Sequence, residues 1–203
     1  MDNEIRYFSG LDLGLVAEYT ALAVLEQTTG PDPEAPHQSV KQYAVRHLER
    51  FALGTPFPAL CQRLQALFSA PPLAESVLTV DQTAVGEPAV NLLRRAGLQV
   101  SIRPLTVTGG HQAQVKEDGG WLVPKNELIS TLQLLLQCRR LKVAPSLPEA
   151  QTLVRELQSF RVKTTLSPND TLESWRDGPH DDLVLSVAIA AWQSEHLKEF
   201  WIL

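Results

Sequence analysis

Four aspartates hold positions from which carboxylate chemistry could be run: Asp12, Asp81, and the adjacent pair Asp181 and Asp182. The first two each close a short apolar run, "RYFSGLD" and "SVLTVD". The last two head "HDDLVLSVAIAAW", a segment otherwise almost wholly apolar. A strand-end aspartate commonly caps a turn through its own backbone. One at a helix start satisfies orphan amides and complements the helix dipole. Capping accounts for one aspartate of the pair well and for both only adequately. Carboxylates converging on one place raise each other's pKa, and a divalent cation removes that penalty. With no CxxC or Cys/His pairing in the chain, an all-oxygen donor set suits Mg²⁺ or Mn²⁺. Two such ions about 3.5–4 Å apart can activate a water and stabilise the leaving oxygen of a phosphodiester. Asp12 is then expected to bridge the ions, with Asp81 on one side and Asp181 and Asp182 on the other.

Several elements must position these acids. Residues 6–11 form a strand ending at Asp12, Gly14 supplies a turn, and "YTALAVLE" (19–26) gives a second strand. The loop 28–37, with three prolines and a glycine, is expected to carry no regular structure. Residues 41–50 fit a third strand or a helix equally. Leu60, Leu64, Leu67 and Phe68 place a helix over 58–69. Residues 76–81 read as a short buried strand, 86–97 as a helix with Pro near its start and Gly past its end, and 98–107 as the next strand. Strand, helix, strand at this spacing implies a parallel pair. The glycine-bounded segment 108–123 suggests a hairpin, or equally a plain surface loop. Helices follow at 125–139 and 148–158, then a strand over 159–166. The final segment is apolar on nearly every face from Leu183 to Trp192, so its helix must be buried.

With 203 residues, 44% hydrophobic and 20% charged, the chain suits one globular domain with a real core. No apolar run reaches the length of a membrane span, and the charged N-terminus lacks a signal-peptide pattern. Cys61 and Cys138 fall in apparent helices, as reduced core thiols of a cytoplasmic protein would. The net charge of −5 argues mildly against nucleic acid as a ligand, unless several acids are gathered around cations.

The order "FSGLDLG", "LTVDQTAVG", "HDDLVLSVAIAAW" resembles the nuclease domain of the large terminase subunit of tailed bacteriophages, a ribonuclease H-like domain. The likeness extends through 122–163 and so covers most of the chain, with "HDDL" its most specific part. It implies an α/β fold with a mixed sheet, three antiparallel strands followed by parallel ones, flanked by helices. It also implies Asp12, Asp81, Asp181 and Asp182 as catalytic metal ligands, two Mg²⁺ or Mn²⁺ ions, and double-stranded DNA as substrate. Such a nuclease would work in the cytoplasm of the bacterial host, phage or prophage encoded, beside a terminase ATPase motor or portal and without a membrane. Complete large terminases carry an ATPase motor before the nuclease, and this chain has no GxxxxGK[ST] loop. Residues 1–203 are therefore expected to form a single nuclease domain, either part of a longer protein or a stand-alone relative. Leu13 stands where relatives often carry proline.

His180 could orient a carboxylate or move a proton, although a histidine at a helix start is more often simply exposed. Lys116, Lys125, Arg139, Arg140 and Lys163, with Lys142 and Arg161, are candidates for following a DNA backbone. Each is individually more often a solvated charge. Three other readings compete. A Holliday-junction resolvase or ribonuclease H shares the acid logic but spaces its last-helix acids differently. A non-catalytic assembly module with the same fold has no need to keep acids at all three places. Actin-like ATPases follow a strand-end Asp-x-Gly with Thr or Ser, where Leu15 and Val16 stand here.

Overall fold

The computed structural model describes residues 5–15, 18–32, 34–164 and 181–196. Among the described residues, eight strands join one sheet in the order β6-β7-β5-β4-β1-β2-β3-β8. Strands β1 (Arg6–Asp12), β2 (Ala21–Pro31) and β3 (Ser39–Arg50) form an antiparallel meander. On the other side of β1 lie β4 (Val77–Asp81) and β5 (Ser101–Thr108), both parallel to it and separated by helix α2 (Glu87–Arg95). β7 (Trp121–Pro124) continues the parallel half, and two-residue β6 (Gln114–Val115) closes a hairpin onto it. At the far edge β8 (Leu141–Val143) pairs parallel to β3. The ribonuclease H-like mixed sheet expected from the sequence is thus present.

Side-chain alternation sorts the sheet into two packed faces. Leu11, Leu22, Leu78 and Val80 pack with α1 (Phe57–Phe68) and α2. Ala21, Ala23, Leu25, Tyr43 and Val45 pack with α3 (Lys125–Gln137), α4 (Ala150–Thr164) and α5 (Asp182–His196). Because strand neighbours alternate between faces, Gly10 and Asp12 share the α5 side that Leu11 avoids. Thr79 and Asp81 share it likewise, and the Thr79 hydroxyl is 3.3 Å from Gln193 Oε1 of α5. Helix α5 is buried over almost its whole circumference, with Trp192 fully enclosed and its indole N–H donating to Glu127 at 2.8 Å. None of the described helices is long and apolar enough to cross a membrane.

Two local expectations need correction, and one left open between strand and helix is decided. β2 runs on through Thr28–Gly30 to Pro31, inside the segment expected to be irregular. Proline is tolerated there because it sits at the strand end, where its missing N–H matters least. Its carbonyl still accepts from Gln42 Nε2 at 2.6 Å. Segment 41–50 is strand, and Arg46 is its extra residue: Val24 faces His47 while Leu25 faces Val45. The strand expected at 159–166 is instead the end of α4 as far as Thr164. Val162 and Thr164 lower helix propensity by only a few tenths of a kcal/mol each, and extending a formed helix avoids the cost of a new nucleus.

Candidate active site

The C-terminal ends of β1 and β4 bring Asp12 and Asp81 into direct register as neighbours on parallel strands. Adjacent strands lie about 4.7–4.9 Å apart, so the two carboxylates leave the sheet side by side. The third element arrives through a close backbone approach. A Cβ added to Gly10 would stand 2.0 Å from the Ser186 carbonyl oxygen and 2.9 Å from the Ala190 amide. Only glycine lets α5 lie this low on β1. From that contact, two residues along β1 lead about 7 Å to Asp12. Four residues back along α5 lead about 6 Å to Asp182. The two paths end together at the sheet edge.

The electrostatics record the same convergence. Burial, then the charges of Asp81, Asp182 and Asp181, hold the Asp12 carboxyl well above the ordinary range, against a lowering by Lys125. Asp81 is also raised by burial, partly offset by hydrogen bonds from Thr83 and by Lys125. The Thr83 amide donates to Asp81 Oδ1 at 2.8 Å, and the Thr83 hydroxyl donates to the same oxygen. That hydroxyl in turn accepts from the Val107 amide at 2.7 Å, locking Asp81 between β4 and β5. Asp181 meets Lys125 Nζ at 2.9 Å. Asp81 and Asp182 are each 7% exposed.

The pair at the helix start does not divide its work as capping rules suggest. Asp181 precedes the first residue of α5, so its side chain is the expected acceptor for the amides of Leu183 and Val184. Those amides instead donate to Glu156 Oε2 of α4, at 3.0 and 3.1 Å. Glu156 is buried, and burial together with the Asp182 charge pushes its carboxyl up to about 7, against lowering by the two amides and Arg50. Arg50 Nη1 lies 3.6 Å from Glu156 Oε1, and its guanidinium stacks 4.2 Å above the Tyr19 ring.

Glu156 and Thr83 are absent from the sequence-based set. A faint signal exists for Glu156: it shares a stripe at i, i+3, i+6 with buried Ala150 and Leu153, and an acid on an apolar stripe demands a partner. Thr83 is two residues past a strand-end aspartate, where a hydroxyl hardly differs from any turn residue.

Of the proposed DNA contacts, Lys125 belongs to the acid cluster itself. Arg140 does not belong near it. Its guanidinium donates to Glu195 at 2.7 Å and to the Lys41 carbonyl at 2.8 Å. Glu195 is thirteen residues from Asp182 along α5, about 20 Å at 1.5 Å per residue, so Arg140 anchors the far end of that helix. Lys116 pairs with Asp118 in the β6–β7 hairpin, and Arg139 is exposed just past α3 with a positive φ of 55°. His180, and the side chains of Arg161 and Lys163, lie outside the described residues.

Oxygen donors that repel one another at a sheet edge can trap protons or a hard cation. Among the described residues, no three His, Cys, Asp or Glu side chains stand in the arrangement of a formed metal site. Lys125 is a cation that contacts the cluster.

The same architecture recurs in two crystal structures of the large terminase nuclease from the thermophilic phage G20c. One, solved with bound zinc, superposes with a TM-score of 0.56 at 24% identity, covering 94% of this chain and 82% of that one. The other gives 0.57 at 23% identity, covering 94% and 83%. The fold is that of a large terminase nuclease. In sequence, the large terminase subunits of Thermus phage G20c and Thermus virus P23-45 are each 29% identical to the chain over 189 residues. That match takes in 93% of this chain and 32% of each relative, so the chain spans about a third of the curated relatives' length. No family model matches the chain.

Proposed function

We propose that this chain is a divalent-metal-dependent endonuclease of the terminase type, hydrolysing phosphodiester bonds of double-stranded DNA, as in cutting concatemeric phage DNA for packaging. Residues 1–203 would act as one nuclease domain in the host cytoplasm, with an ATPase motor or portal supplied by other segments or chains. The observation that carries the reading is the placement of Asp12 beside Asp81 at the ends of neighbouring parallel strands, with α5 seated on Gly10 so that Asp182 arrives at the same place. The Asp12 carboxyl is raised by burial, by Asp81 on the neighbouring strand, and by Asp182 and Asp181 at the start of α5.

The donor set fits Mg²⁺ or Mn²⁺, since it is all carboxylate and its excess negative charge needs a cation. Asp12, Asp81 and Asp182 would hold two ions, with Asp181 nearby. When bound, the ions would lower the pKa of a water and stabilise the leaving oxygen. The zinc in the G20c nuclease supports a divalent-ion site in this fold. The chain's own residues have definite tasks. Thr83 fixes one Asp81 oxygen and so aims the other toward the site. Buried α5 keeps Asp182 at a fixed height above β1. Lys125 tempers the charge of the cluster and could meet a phosphate oxygen of the substrate.

A plasmid-nicking assay with Mn²⁺ or Mg²⁺ tests the proposal. Nicking should disappear in EDTA and in both Asp12→Asn and Asp182→Asn. Activity that survives both substitutions, or ignores EDTA, would overturn the two-ion site. Cleavage of four-way junctions or RNA–DNA hybrids in preference to duplex DNA would instead assign a resolvase or ribonuclease H activity.

A further inference from the structure

We infer that Glu156 is a positioning residue for the metal-binding aspartates: by capping α5 from α4, it releases Asp181 and Asp182 from serving their own helix. The inference rests on the proposed function and extends it to a residue outside the acid set. The two amides in question, Leu183 and Val184, occupy the second and third helical positions. These are the orphan donors that an N-cap side chain normally takes. Both donate to one oxygen of Glu156, at 3.0 and 3.1 Å. Asp181 contributes only its carbonyl, which accepts from the Leu185 amide at 2.9 Å as the first helical hydrogen bond. Its carboxylate is turned to Lys125.

This exchange of roles has a mechanical consequence. An aspartate that caps its own helix folds its carboxylate back over the helix end and has its lone pairs committed there. With the cap supplied from another helix, the acids at this end can face β1 and β4 instead. Glu156 is itself held from a third element. It is 6% exposed, and Arg50 at the end of β3 lies 3.6 Å from its other oxygen while stacking on Tyr19. The start of α5 is thereby tied to α4 and β3 as well as to β1. Partners that orient metal ligands without touching the metal commonly affect metal affinity as strongly as chemistry.

Glu156→Gln keeps an oxygen acceptor of the same reach, whereas Glu156→Ala removes it and Glu156→Asp withdraws it by one methylene. Mn²⁺ binding to the full chain, measured by calorimetry with no DNA present, should weaken roughly tenfold in Glu156→Ala. Glu156→Gln should stay within about threefold of the parent. Glu156→Asp, which disturbs the fold least among the shortened forms, should fall between them and serves if the alanine variant does not fold. The concentration of Mn²⁺ giving half-maximal nicking should shift in the same order. A residue that merely stabilises the fold would lower Tm without moving either Mn²⁺ measurement. Parent-like Mn²⁺ binding in the folded shortened variants overturns the inference while leaving the nuclease proposal standing. A parent chain that neither binds Mn²⁺ nor nicks DNA overturns both.

Discussion

Gly10 lies so close beneath Ser186 that a side chain of a single carbon would meet the serine carbonyl oxygen at 2.0 Å. The contact sets the height of α5 above β1, and with it the distance between Asp182 and Asp12. Both colliding atoms belong to the α5 backbone, so no side chain can rotate to relieve the clash. Gly10→Ala should destabilise the chain by about 1–3 kcal/mol, the usual cost of overpacking, measurable by urea unfolding. A displaced α5 should also weaken Mn²⁺ binding. An alanine variant with parent-like stability and Mn²⁺ affinity would show that this contact does not set the site.

Asp12 makes the acid cluster a source of instability whenever no cation offsets it. Its folded-state pKa is raised above the ordinary 3.8, chiefly by burial and then by its acidic neighbours. The sign follows from linkage: the protonated form is favoured in the folded chain, so the contribution of Asp12 to stability is full below about pH 4 and is lost as pH rises toward the folded value. In EDTA, the parent should therefore lose melting temperature relative to Asp12→Asn as pH rises above this range. Asp12→Asn should flatten the dependence and melt higher than the parent at pH 7 to 8, although it abolishes nicking. Mn²⁺ should raise the parent's Tm by mass action and leave Asp12→Asn little changed. Parallel melting curves for the two proteins in EDTA would contradict this account of the cluster.

Much of this arrangement is legible in the sequence because periodicity and chain punctuation report local facts. Asp12 and Asp81 end runs whose apolar character marks them as strands, and the run from Leu183 to Trp192 can only be a buried helix. Relationships between distant segments are not written that way. Glu156 caps α5 from 27 residues upstream of Leu183, and nothing near it in sequence names its partners. β8 is only three residues long, too short for alternation to register. Arg140 and Lys125 carry the same charge and look equivalent as DNA contacts. Only the fold puts one at each end of α5.

Thr83 couples the positioning of Asp81 to the pairing of β4 with β5. Its hydroxyl donates to Asp81 and accepts from the Val107 amide. Thr83→Val retains the shape but removes the acceptor of that solvent-exposed amide, which water can replace, so the cost should be no more than the roughly 0.5–1.5 kcal/mol of an ordinary hydrogen bond. It also removes a hydrogen bond that lowers the Asp81 pKa, so Asp81 should titrate higher and the acidic limb of the pH–rate profile should move up in pH. Thr83→Ser should restore both properties. A valine variant with an unshifted profile would remove Thr83 from the positioning of Asp81.

Lys125 gives the most direct test of how charge is balanced at the strand ends. Its ammonium sits 2.9 Å from Asp181 Oδ2 with only part of either side chain reached by solvent, and it lowers the pKa of both Asp12 and Asp81. Lys125→Met keeps most of the aliphatic stem and deletes the charge. Without a divalent ion, the acids lose a counter-charge, so the variant should melt below the parent at neutral pH in EDTA. With the ion, the balance reverses: an ammonium that competes for Asp181 and repels a divalent cation is gone. Mn²⁺ should therefore bind Lys125→Met more tightly than the parent, and the stabilisation by saturating Mn²⁺ should be larger. Because the interaction is electrostatic at a partly solvated site, the difference between the two proteins should shrink as ionic strength rises. Weaker Mn²⁺ binding in Lys125→Met, at every salt concentration, would mean instead that Lys125 holds Asp181 in place for the metal rather than competing with it.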